Sequence, residues 1–155
     1  MKLSILFLLV PVLSISANDK TGDGNALKPG TCCVDDGVSL VPAYVRISDA
    51  LANDDLQGAI GAAEDLGLWA ECSGQEKLDQ AVENLERARN LSEARIAFRE
   101  ISTEVIPLAK WIPGHYLMTC PMANADWIQI SPKISNPYYG SEMRRCGEIK
   151  EAIGI

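Results

Sequence analysis

The sequence has one histidine and none of the common catalytic motifs. His115 is the only histidine in 155 residues, so one imidazole would have to serve any acid–base scheme. The chain also lacks Gly-x-Ser-x-Gly, His-Glu-x-x-His, a Gly-rich phosphate loop and the Cys-x-x-Cys of thiol oxidoreductases. These absences predict a protein that is not an enzyme.

Positive charge is also scarce. Fourteen basic residues stand against 21 acidic ones, which gives a formal net charge of -7. Nucleic acids bind proteins through clustered positive charge, so no nucleic-acid partner is expected. The hydrophobic content of 47% is sufficient for a packed core, and the length suits one domain.

No apolar run is long enough to span a membrane as a helix. The longest, Leu3 to Ile15, falls short of the about 20 residues that a span needs. It follows Lys2 and precedes the small residue Ala17, as in a cleavable secretory signal. We therefore predict a signal peptide over 1–17 and a periplasmic or otherwise exported protein that does not insert into the membrane after cleavage.

The remaining chain divides into a polar leader and a helical domain. Residues 18–37 are rich in Gly, Asp, Lys and Asn and predict a flexible leader. From residue 38, apolar residues recur at helical spacing in four segments. Asp55 is a candidate N-cap for the second helix, and Asn90 with Glu93 has the spacing of a capping box that begins the fourth.

These segments predict an all-α fold. Short connections between the four helices favour an antiparallel four-helix bundle. After Gly114, prolines and glycines interrupt any long periodicity, so the C-terminal Cys/Met tail is predicted to be irregular and to wrap over the bundle. The predicted domain, bundle and tail together, covers residues 38–155.

Sulfur is concentrated in that tail. Met118, Cys120 and Met122 alternate, and Met143 and Cys146 are three residues apart. An extended chain would place the first three sulfurs on one face, and a helix would do the same for the last two. Thioether and thiolate donors select soft ions, so the pattern predicts a site for Cu(I), with Ag(I) possible.

A second interpretation of the tail requires no metal. Cys120 and Cys146 would form a disulfide in an exported compartment, where oxidation is favoured. The methionines would then fill gaps in the core, and the domain would be a structural or interaction module. Cys32, Cys33 and Cys72 complete an odd set of five, and spacing alone leaves their connectivity open.

Several separated blocks of the tail resemble a known family. These blocks are Cys120-Pro121-Met122-Ala123, Ala125 to Gln129, Ile134 to Gly140, and Met143 to Ile149. They are similar to a bacterial family of small exported domains first labelled as a domain of unknown function. That family occurs alone and fused to periplasmic adaptor subunits of heavy-metal efflux pumps of the copper/silver (CusB-like) kind.

The resemblance implies a helical bundle with a metal-associated Cys-Pro-Met tail. It assigns metal ligation to Cys120, Met122, Met143 and Cys146, and it implies an efflux adaptor or another copper carrier as the partner. Family members often have a histidine directly before the Cys-Pro-Met element, where this chain has Thr119. If that histidine is a ligand, His115 or Met118 would have to replace it.

Overall fold

A computed structural model describes residues 37–155. The predicted signal peptide, the predicted leader up to residue 36, and the Cys32–Cys33 pair lie outside the described residues. The element order is α1 (Gly37–Ala52), α2 (Leu56–Ser73), α3 (Glu76–Glu86), α4 (Leu91–Ala109), β1 (His115–Cys120), β2 (Ala125–Gln129), a short 3₁₀ helix (Gly140–Glu142) and β3 (Glu148–Ile153).

The four predicted helices are confirmed, together with two predicted caps. The Asp55 carboxylate accepts a hydrogen bond from the Gly58 amide at the start of α2. At the start of α4, the Asn90 side chain accepts one from the Glu93 amide at 3.0 Å. Each cap satisfies a backbone N–H that has no partner within the helix.

The helices bury the apolar stripes that mark them in the sequence. Consecutive helices pack together, and α4 also packs against α1. Phe98 of α4 and Tyr44 of α1 are fully buried, with ring centroids 5.0 Å apart. On α2 the buried positions are mostly alanines, which include Ala59, Ala63 and Ala70. Small side chains let neighbouring helices approach closely.

The prediction of an all-α fold with an irregular tail is wrong. The tail forms a three-stranded antiparallel sheet in the order β2-β1-β3, so the fold is mixed α/β. Each strand has only five or six residues, which is too short for alternation to stand out among the prolines and glycines. Pairing between distant strands satisfies the backbone groups that an irregular tail would leave open.

The sheet and the segment before β3 share the core of the bundle. Trp127 of β2 and Tyr138 are buried with Phe98. The Tyr138 hydroxyl donates to the Asp126 carbonyl at 2.6 Å and lies 3.1 Å from the Ser102 hydroxyl. Burial raises the pKa of Tyr138 well above its usual range, so the hydroxyl remains a donor. The tail is thus anchored directly on α4.

A second anchor joins the 3₁₀ helix to the turn between α1 and α2. The Asp54 carboxylate accepts from the Ser141 amide at 3.0 Å and pairs with the Arg95 guanidinium at 2.5 Å. These hydrogen bonds lower the pKa of Asp54 to about 2. A Cβ at Gly140, which has a φ of +54°, would overlap both charged groups. The tail can therefore reach Asp54 only with glycine at this position.

Among the described residues, no helix has both the length and the apolar character needed to cross a membrane.

Candidate metal centre

Strand β1 carries two of the predicted sulfur ligands. Met118 lies opposite Trp127 and Cys120 lies opposite Ala125 in the pairing with β2. Since the two are separated by one residue of a strand, their side chains share one face. Both are fully buried. The predicted common face is confirmed for this pair.

Met122 does not continue the alternation. Strand β1 ends at Cys120, and the chain turns back through Pro121–Asn124, where the Asn124 amide donates to the Pro121 carbonyl at 3.2 Å. Proline suits such a turn because its φ is fixed, and Asn124 tolerates its positive φ of 47°. Met122 is 63% exposed. The Met122 side chain is thus accessible to solvent, whereas Cys120, two residues earlier, is buried.

The fold brings Cys120 and Cys146 together. They are separated by 26 positions in the sequence, yet the Cys120 thiol is close enough to Cys146 to shift its pKa. Both are reduced. Cys120 Sγ also accepts a hydrogen bond from the Ala123 amide at 3.4 Å. Burial, followed by the neighbouring Cys120 thiol, raises the pKa of Cys146, so a metal that binds this thiol must displace its proton.

Asn136 holds the segment that carries Cys146. Its side chain is fully buried and donates to the Cys146 carbonyl at 2.7 Å. Its side-chain oxygen accepts from the Tyr138 amide at 2.8 Å, and its backbone amide donates to the Arg144 carbonyl at 2.9 Å. Sequence reasoning missed this residue, because an asparagine before a proline reads as an ordinary turn signal.

Gly147 permits the close approach of the two cysteine segments. Its φ is +144°, and a Cβ there would lie 2.7 Å from the Trp127 ring and 2.9 Å from the Thr119 carbonyl oxygen. Only glycine leaves that space open. The chain can therefore pass directly over Trp127 and enter β3. A glycine beside a cysteine in the sequence was the only signal for this contact.

Met143 lies one turn before Cys146, although not on a helix. The 3₁₀ helix ends at Glu142, and the Cys146 amide donates to the Met143 carbonyl at 2.9 Å. The prediction that Met143 and Cys146 share one face of a helix is therefore wrong, because a backbone turn joins the two residues instead. Met143 is half-buried, and its neighbour Glu142 lines the same cleft as Met122.

The other two candidates are placed differently. Met118 is fully buried opposite Trp127, so its sulfur forms part of the core. His115 is at the far end of β1, about 17 Å from Cys120 at the usual rise of a strand. It pairs with Ile153. The structure does not bring His115 to the cysteine pair.

His115 nevertheless has an unusual environment. Its side chain is fully buried, and neither ring nitrogen has a hydrogen-bond partner among the described residues. Burial lowers its pKa, and the negative charge of Glu151 only partly opposes this effect. The imidazole is therefore neutral near pH 7.

Within residues 37–155, no three side chains from His, Cys, Asp and Glu gather closely enough to hold a metal ion. In this part of the chain, the remaining candidate soft donors are the methionines that the sequence predicts as ligands. A set of thiols and thioethers matches the preference of soft monovalent ions and does not match that of Ca²⁺ or Mg²⁺, which take oxygen ligands.

Comparison with known proteins finds a family match in the helical part of the chain. Residues 40–113 match a family described as proteins of unknown function, DUF3347. The matched region contains nearly all of the bundle and ends just before β1, so the helical part is a domain of unknown function. No curated protein and no solved structure matches the chain.

Proposed function

We propose that this protein binds Cu(I), or Ag(I), through the thiols of Cys120 and Cys146 with Met122 and Met143 as additional donors. The contact between the two thiols supports this proposal most directly. Two neighbouring thiolates are suitable ligands for a soft monovalent ion, and a thioether can serve as a further soft donor.

The different exposure of the donors supports a role in metal transfer. Cys120 is buried, whereas Met122 is 63% exposed two residues away. A thioether carries no proton to lose, so Met122 remains a donor at acidic pH. In this proposal Met122 receives the ion at the surface, and the cysteine pair then retains it. Stepwise exchange of soft ligands carries the ion to or from a partner.

The proposed setting is outside the cytoplasm. The predicted signal peptide and the resemblance to domains fused to efflux adaptors support a periplasmic or otherwise exported protein. In that setting it buffers copper or delivers it to an efflux adaptor or another copper carrier.

A Cu(I) titration of the reduced, metal-free protein against a colorimetric Cu(I) chelator tests the proposal. We expect one tightly bound ion per chain, with Cys120 and Cys146 protected from alkylation. Cys120→Ser or Cys146→Ser should abolish binding, while Cys72→Ser on α2 serves as the matched control and should retain it. Binding of similar affinity in the two site variants would refute the assignment.

The methionines are tested separately. Met122→Leu, at an exposed position, should leave the fold unchanged and weaken Cu(I) binding by about tenfold, which corresponds to about 1.4 kcal/mol. Met143→Leu should act in the same direction. Met118→Leu is the control, because we assign its sulfur to the core. If Met122→Leu and Met143→Leu both retained full affinity, the thioethers would have no place in the site.

The same thiol contact favours a second candidate, a disulfide-stapled interaction module. A Cys120–Cys146 bridge would close a loop of about 26 residues and stabilise the fold by ~3 kcal/mol. Intact-mass measurement and thiol counting on protein purified without reductant distinguish the two. A complete bridge that reforms immediately after reduction, together with no Cu(I) uptake, would support the staple.

A further inference from the structure

Arg99 lies on α4 between two clefts and has no acidic partner within residues 37–155. Its guanidinium carbon is 5.7 Å from the centre of the Tyr138 ring, and its side chain makes no hydrogen bond or ion pair with the described residues. By contrast, Arg46, Arg87 and Arg95 each pair with a carboxylate. The fixed Tyr138 ring beneath Arg99 favours one orientation of the guanidinium.

The clefts on either side of Arg99 have the size of small-molecule sites. One, of about 500 Å³, lies between α4 and the β1–β2 hairpin, and the other, of about 510 Å³, extends towards Met122 and Glu142. Pockets of 300–1,000 Å³ suit small ligands. Arg99 and Tyr138 line both clefts, so a ligand in either can reach the guanidinium.

The charge around Arg99 differs in sign from that of the whole protein. The first cleft has Arg99 and Lys150 with one acid, Asp126, which already pairs with Lys150 at 2.7 Å. The second has Arg99 and Arg95 with Glu142. Because Arg95 already pairs with Asp54, only the first lining is net positive, although the chain has a net charge of -7. Such a local field attracts small anions.

Neutral hydrogen-bonding groups surround the free guanidinium in the first cleft. Thr103 is one helical turn from Arg99 on the same wall, and Thr119 and Asn124 are on the hairpin wall opposite. The planar guanidinium binds a carboxylate through two parallel hydrogen bonds. Hydroxyl and amide groups then bind the rest of a small polar molecule.

From this arrangement we propose that the cleft between α4 and the β1–β2 hairpin binds a small carboxylate-bearing molecule through Arg99. Cys120, a proposed metal ligand, lines the same cleft, but Arg99 is not a proposed metal ligand, so substitution of Arg99 tests the inference without removing a metal donor. The volume of the cleft favours a small molecule over a folded partner.

Titration of the full-length, metal-free protein with succinate tests the inference, with thermal stability and backbone amide NMR shifts as readouts. We expect a saturable rise in the unfolding temperature, with shifts confined to α4 and the hairpin. Sodium chloride at equal ionic strength should produce no saturable effect. Inorganic phosphate is the second probe, and binding of phosphate without succinate would overturn the carboxylate assignment.

Variants of Arg99 provide the decisive comparison. Arg99→Gln should weaken succinate binding by at least about tenfold, and Arg99→Lys should restore only part of it because an ammonium lacks the planar pair of donors. Arg87→Gln is the matched control, since Arg87 is an exposed arginine at the end of α3. No saturable succinate binding by the unaltered protein, or equal binding by Arg99→Gln, would overturn the proposal. Cu(I) binding is measured independently, so either proposal can fail alone.

Discussion

Single residues in the tail determine whether its two cysteines meet. Cys146 approaches Cys120 because Asn136 fixes its carbonyl and because Gly147 leaves room for the Trp127 ring. Neither residue donates to a metal in our proposal. Both are positioning residues, and their substitution separates the geometry of the thiol pair from its chemistry.

Gly147→Ala should destabilise the protein by about 1–3 kcal/mol, because the new Cβ would meet Trp127 and the positive φ would become strained. It should also weaken Cu(I) binding by separating the thiols. Urea unfolding and the Cu(I) titration measure the two effects. Gly61→Ala is the control: a Cβ at Gly61 meets no other atom, so alanine in this helix should stabilise by about 0.5–1 kcal/mol. Equal stability of both variants would contradict the contact with Trp127.

Because His115 is buried, we expect the free energy of unfolding to depend on pH near neutrality. Burial lowers its pKa in the folded state, so the unfolded chain binds more protons as the pH falls. Stability contributed by this residue is thus fully present above about pH 6.5, the ordinary value for histidine, and is lost as the pH falls below it. Urea unfolding between pH 5.5 and pH 7.5 measures the slope.

His115→Leu should flatten that slope, since the chain has no other histidine. Leucine is apolar and has no unsatisfied ring nitrogen, so it should also stabilise the protein at pH 5.5. An unchanged slope would mean that the imidazole is accessible to water in the folded state.

At the scale of elements, the sequence predicted the helices better than the strands. The apolar stripe of α1, which includes Tyr44 and Leu51, could be recognised because a 16-residue helix repeats its period several times. The caps at Asp55 and Asn90 depend on local spacing alone. Strand β1 has six residues, and one of its partners, β3, begins only at Glu148, so no local pattern specifies that pairing.

In the candidate site, too, the sequence predicted the local features and missed those that depend on tertiary packing. Alternation correctly placed Met118 and Cys120 on one face, because that relation is local. The contact between Cys120 and Cys146 requires the turn after Asn136 and the crossing at Gly147. These features are set by tertiary packing, and a single sequence does not display them.

The link between the 3₁₀ helix and the turn that joins α1 to α2 gives a second pH-dependent prediction. Asp54 has its pKa lowered to about 2 by hydrogen bonds from Ser141 and by Arg95. The stability that it contributes is present above about pH 4 and is lost as the pH falls towards 2. Asp54→Asn retains the positive φ, which asparagine tolerates, and should cost about 1.5–3 kcal/mol at pH 7.

The control for Asp54→Asn is Asp65→Asn. Asp65 also pairs with an arginine, Arg46, but its side chain is 60% exposed, so its loss should cost under about 1 kcal/mol. Urea unfolding of both variants at pH 7 and pH 2.5 gives the comparison. If both variants lost the same free energy of unfolding at pH 7, Asp54 would not anchor the tail.

At the scale of the whole molecule, the bundle and the tail form one core. Ile128 of β2 donates its amide to the Tyr44 hydroxyl at 3.4 Å, and Trp127 and Tyr138 are buried in the same cluster as the helices. The region that matches the family ends at residue 113, so it lacks all three. The matched bundle would therefore expose apolar surface that the tail covers.

This shared core predicts cooperative unfolding. Trp127 fluorescence follows the tail, and far-ultraviolet circular dichroism follows mainly the helices, so the two signals should give one midpoint in urea. A variant with Trp69 and Trp111 changed to Phe assigns the fluorescence to Trp127. Two separate midpoints would mean that the tail is an independent unit.

A chain that ends at Pro113 tests the same point directly. Without the tail, the faces of α1 and α4 that carry Tyr44 and Phe98 lose their cover, and the buried hydroxyl of Ser102 loses the Tyr138 contact. Each large apolar side chain left exposed forfeits about 1.5–3 kcal/mol, which is a large part of the 5–15 kcal/mol typical of a domain. We expect this chain to bind a hydrophobic dye and to unfold at much lower urea. If it retained the midpoint of the whole protein, the bundle would be stable alone, and the tail would not be needed for its stability.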